Sequence, residues 1–152
     1  MATKMKEVKM NEELLPEVTE QEEVTPDVTE KEDVKDSDSI LTSIKKLLGP
    51  EEEYDYFDTD IIIHINSALM VLTQLGIGPS TGFFITDKSA VWQDFLSDMD
   101  GLQAVKTYIY LKVKLVFDPP QSAAGIESYN KMINELEWRL NIAAETKNEE
   151  ED

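Results

Sequence analysis

His64 is the only histidine of this chain and sits in the run Ile61-Ile62-Ile63-His64-Ile65. An imidazole can shuttle protons or bind a metal near neutral pH, but either task needs other ligating groups converging on it. With one histidine and no cysteine, a multi-histidine or thiolate metal site cannot be built within one chain. His64 therefore reads as a structural or surface residue. The run Glu51-Glu52-Glu53-Tyr54-Asp55-Tyr56-Phe57-Asp58-Thr59-Asp60 has carboxylates enough for a divalent cation. It lacks the glycine and terminal glutamate of an EF-hand, so it reads as a solvated loop whose aromatics dock on the core. Gly76-Ile77-Gly78-Pro79-Ser80-Thr81-Gly82 has the glycine density of a phosphate cradle. It follows a helical pattern, and no lysine and hydroxyl succeed its glycines, which makes it a turn. Ser, His and Asp are all present but match no nucleophile elbow or protease signature. Neither enzyme chemistry nor a cofactor is expected. Trp138-Arg139 suggests recognition instead, because these residue types concentrate the energy of protein interfaces.

The elements around these residues are helical. Ile40, Leu41, Ile44, Leu47 and Leu48 form one face of a first helix, capped by Asp38 or Ser39 and stopped at Gly49-Pro50. A second runs from Thr59 or Asp60 to Leu75, with Asp58 as N-cap and Ile61, Ile65, Leu69 and Leu72 on one face. Phe83-Phe84-Ile85-Thr86 is short and β-prone, fit to pair across a subunit contact or to lie extended. A brief helix over residues 89–96 buries Val91, Trp92 and Phe95.

Residues 102–144 carry the clearest pattern, two apolar helices hinged at Asp118-Pro119-Pro120. Proline lacks a backbone donor and drives its predecessor out of the α region, so the first helix must end near Phe117. Its stripe is Leu102, Val105, Ile109, Val113 and Val116, joined by Tyr108, Leu111 and Leu115. After the hinge, Ile126, Tyr129, Met132, Ile133, Leu136 and Leu140 continue to about Ala143. The fold class is all-α: a small helical bundle with a long C-terminal hairpin and a short extended segment.

Composition divides the 152 residues into three parts. Residues 1–38 carry thirteen acids against five lysines and no aromatic residue. There Glu17-Val18-Thr19-Glu20 recurs as Asp27-Val28-Thr29-Glu30, and Pro16 and Pro26 interrupt any helix. So little apolar area cannot offset ordering entropy, and a disordered acidic arm is expected. All twelve aromatic residues lie in the domain at 39–145, and residues 146–152 read as a disordered acidic tail. Apolar runs fall far short of the roughly 20 residues of a membrane span. A net charge of −18 opposes a phosphate grip, though a negative wall suits a passage through which DNA slides without sticking.

With the hairpin in view, the chain resembles the head–tail connector (adaptor) proteins of tailed bacteriophages. The resemblance rests on Asp38-Ser39-Ile40-Leu41-Thr42-Ser43-Ile44, Asp60-Ile61-Ile62-Ile63-His64, Trp92-Gln93-Asp94-Phe95, residues 108–120 and Glu135-Leu136-Glu137-Trp138-Arg139-Leu140. It covers residues 39–145 in order and spacing; the acidic arm is a departure. The resemblance implies a ring of about a dozen copies beneath the portal protein. That ring extends the DNA channel at the head–tail neck of the virion, after assembly in the bacterial cytoplasm, and offers a dock to a tail or stopper protein. Carried onto this chain, the C-terminal helix faces the portal with Trp138 and Arg139 as anchors and Tyr129 beside them. Phe83, Phe84 and Ile85 supply subunit or tail-side contacts. The competing reading is a small helical protein-binding module, a regulator whose acidic arm recruits a basic partner.

Overall fold

The computed structural model describes residues 38–151, and five helices are formed among them. They are α1 (Ile40–Leu48), α2 (Asp58–Gln74), the single turn α3 (Trp92–Phe95), α4 (Leu102–Phe117) and α5 (Ala123–Glu151). The acidic arm expected over residues 1–38 lies outside the described residues except for Asp38.

Helix α1 starts where its cap dictates. Ser39 Oγ accepts the Thr42 amide at 3.3 Å, and the same hydroxyl donates to the Lys88 carbonyl at 2.7 Å. Gly49 closes the helix at φ 105°, its amide reaching the Lys45 carbonyl. Ile40, Leu41, Ile44 and Leu48 enter the core, whereas Leu47 at the margin of that stripe is exposed. Helix α2 begins at Asp58 rather than after it. Phe57 holds the N-cap position without a side-chain hydrogen bond, and the Asp58 carboxylate turns to Lys45 instead.

Helix α4 is the centre of the bundle, packed against α1, α2 and α5. Neighbours on several sides explain why Val105, Tyr108, Ile109, Leu111 and Val113 are all buried, a wider arc than one stripe. Val116, expected on the stripe, is exposed where α4 runs out towards the hinge. Trp92 fills the gap between α1 and α4: it is 1% exposed, and its indole nitrogen donates to Ser43 Oγ at 2.9 Å. Phe95 is equally enclosed, as expected for α3, although α3 is shorter than residues 89–96. Asp94 Oδ2 limits it by accepting the Val91 amide at 3.0 Å.

Helix α5 runs back along α4, since Lys147 near its end meets Asp98, just ahead of α4, at 2.6 Å. Its 29 residues make about 43 Å of helix. The stretch expected to end near Ala143 and to continue as a tail over 146–152 is therefore helical to Glu151. The Lys147–Asp98 pair, the buried Ala144 and the Asn141–Glu145 side-chain bond hold those added turns. No strand occurs among the described residues. A lone bridge joins Ser39 and Val91, and residues 83–86 find no strand partner.

Candidate assembly surface

The hinge forms as expected. The Asp118 amide closes α4 on the Lys114 carbonyl at 3.0 Å, and the Asp118 carboxylate pairs with the Lys114 ammonium. That hydrogen bond holds the Lys114 pKa above its ordinary value. Pro119 and Pro120 follow, and Ser122 Oγ then accepts the Gly125 amide at 3.1 Å to open α5. Gly125 lies so near the ring of Pro120 that an added Cβ would sit 2.9 Å from it. The turn is sterically matched to glycine.

Between the hairpin helices, the Tyr108 hydroxyl donates to Glu137 Oε1 at 2.7 Å. Burial, and then the adjacent carboxylate, push the Tyr108 phenol well above its ordinary range. Next to it, burial is the main cause raising the Tyr110 phenol, with Tyr129 second. Tyr129 itself is half-buried, packed against the core on its side of α5.

The opposite face of α5 is open. Trp138 is 65% exposed, and Ile142, one turn on, is 43% exposed. Arg139 is bound to Glu135 at 2.7 Å, and Lys131 to Glu127 at 3.0 Å, so the charges beside Trp138 are largely cancelled. Exposed apolar side chains beside a paired arginine, with Glu145 at their C-terminal margin, are suited to docking rather than catalysis. Ile142 was missed from sequence, though its spacing of four from Trp138 was the available signal.

The 83–85 segment divides its side chains by alternation. Phe83 leans on Phe95 with centroids 5.4 Å apart, Ile85 is buried at 2% exposure, and Phe84 between them is 72% exposed. Ile85 is therefore a core residue and Phe83 half-buried; only Phe84 is presented outward. Asn66 on α2 fixes this arrangement, donating to the Ile85 carbonyl at 2.9 Å and accepting the Ile85 amide at 2.8 Å.

The residues singled out for chemistry stay apart. His64 is half-buried on the flank of α2, and among the described residues no three metal-ligating side chains converge. Gly76, Gly78 and Gly82 take positive φ in a turn, with an added Cβ at Gly78 falling 2.8 Å from two carbons of Phe95. In the acidic loop only Phe57 docks inward, edge-on to Phe117 at 5.3 Å; Tyr54 and Tyr56 stay exposed. What that loop supplies is a socket for Lys45, which no sequence pattern marked. The Lys45 ammonium, 2% exposed, donates to the carbonyls of Glu52 at 3.0 Å and Tyr54 at 2.9 Å and lies 2.6 Å from Asp58 Oδ1. The Asp58 oxygen accepts no aligned hydrogen bond, so that contact is one of charge.

No curated protein and no solved structure matches the chain. A family model does match, that of the Phage connector protein, over residues 40–147. Its span begins at the first residue of α1 and ends at Lys147, the residue that ties α5 to Asp98, so it takes in all five helices but the last four residues of α5. The chain belongs to the phage connector protein family.

Proposed function

We propose that this protein is a structural component of the virion neck, forming a ring beneath the portal that joins the phage head to the tail and extends the DNA channel. Membership of the connector family assigns the structural role. The observation that carries the finer reading is the outward face of α5, where Trp138 and Ile142 stand exposed, Trp138 beside the Arg139–Glu135 ion pair. Burying the Trp138 and Ile142 side chains on the portal releases their water, and the Arg139–Glu135 pair enters already paired. The net charge of −18 suits a channel wall that repels phosphate, so DNA passes without being held. A tail or stopper protein would take the other end of the ring.

Electron microscopy of the full chain mixed with its portal tests this. A ring of extra density at the tail-side mouth of the portal is the expected image; unchanged portal particles defeat the proposal. Trp138→Ala should leave the melting temperature in place and weaken portal binding at least tenfold, corresponding to about 1.4 kcal/mol or more.

A further inference from the structure

From Ile61 to Thr86 the chain contains no Asp, Glu, Lys or Arg, although 30% of all its residues are charged. The gap is not accounted for by burial. On α2, Ile63, Ser67, Met70 and Gln74 follow one another every three or four residues and are all exposed, Ile63 at 54% and Met70 at 56%. The Asn66 clamp on Ile85 holds residues 83–86 to the flank of the same helix, adding the exposed ring of Phe84. A charge-free face therefore runs from Ile61 to Gln74, roughly 20 Å of α2, bounded at its N-terminal end by the exposed Asp60.

Resting on the ring reading above, we infer that this face of α2 is one side of the contact between copies of this chain. The charge of the protein chooses the occupant. Two copies at −18 each repel, and a face bearing acids would bring like charges together in a dehydrated seam. A basic partner would gain more from the acidic surfaces elsewhere, such as residues 51–60. A neighbouring copy is the partner for which a surface without charge is the best match. A face about 20 Å by 10 Å falls short of the roughly 800 Å² per partner of stable pairs. One seam alone is weak, and closure of a ring, in which every copy makes two, holds it.

Light scattering of the full chain across a concentration series, alone and with portal rings added, tests the inference. The wild type should gain mass with concentration or load several copies per portal. Ile63→Glu and Met70→Glu, both at exposed positions, should weaken self-association at least tenfold with an unchanged helical circular-dichroism spectrum. Met70→Leu should assemble normally, as should Gln93→Glu, a charge placed on a different exposed site. Glutamate variants that assemble like the wild type overturn the inference and leave the connector role standing, as does a wild type that binds portal only as isolated single chains. A wild type that self-assembles through this face but ignores the portal leaves the inference intact and removes the ring-beneath-portal reading.

Discussion

The Tyr108 hydroxyl and the Glu137 carboxylate, 2.7 Å apart, form a polar rivet between the two hairpin helices. The donor is fully buried and its acceptor is charged, a pairing that contributes more than a neutral hydrogen bond. Tyr108→Phe keeps the ring and removes only the donor. Stability should fall by about 1–3 kcal/mol, read as a lower denaturant midpoint at constant slope. An unshifted midpoint would mean that water replaces the hydroxyl at no cost.

Lys45 is the most demanding group in the bundle, a buried ammonium served by two carbonyls and one carboxylate. Lys45→Met removes the charge while keeping much of the volume. Asp58, about a quarter exposed, is then left without its counter-ion, and solvent screening moderates the loss. We expect a cost of about 2–4 kcal/mol, with loosening of the loop at 51–57 visible by hydrogen exchange.

Gly78 stands at φ 81° against the ring of Phe95. An alanine would meet both the left-handed backbone penalty and an occupied space, together roughly 2–5 kcal/mol. Thermal unfolding of Gly78→Ala measures it. Gly82, at a similar φ but facing open space, should tolerate alanine with a smaller loss, set by the backbone alone.

Asp98 gives a pH dependence. Its hydrogen bond to Lys147, and then that to the Asp100 amide, hold its carboxyl below the ordinary 3.8. A pKa depressed by folding contributes stability that is present above the unfolded value and lost as pH falls through the folded one. The last turns of α5 should therefore keep their exchange protection at neutral pH and shed it in acid below the usual carboxylate range. Asp98→Asn should show the frayed end already at neutral pH, with protection of α4 unchanged.

Much of this architecture was legible where the chain punctuates itself. Helix α4 begins after Gly101 and ends before Pro119, so its bounds of 102 and 117 could be read directly. The far end of α5 has no such mark. It is acidic and lacks a glycine stop, and it stays helical because Lys147 reaches Asp98, 49 residues earlier in the chain. Distance along the sequence likewise concealed the Asn66–Ile85 clamp, which turns a β-prone segment into a single tethered thread. Trp138 was recognisable by residue type, but only the packing of α5 decides that it faces outward while Tyr129 faces in. Lys45 could not be found at all, since its partners are mostly main-chain carbonyls, which every residue possesses.

The Asn66 amide consumes both the donor and the acceptor of Ile85, the groups an incoming β-strand would need. A segment rich in aromatic and branched residues is thereby closed, at Ile85, to pairing with its equivalents in neighbouring molecules. Crowding many of these proteins side by side thus carries less hazard of amyloid-like stacking than the composition of Phe83-Phe84-Ile85-Thr86 alone would forecast.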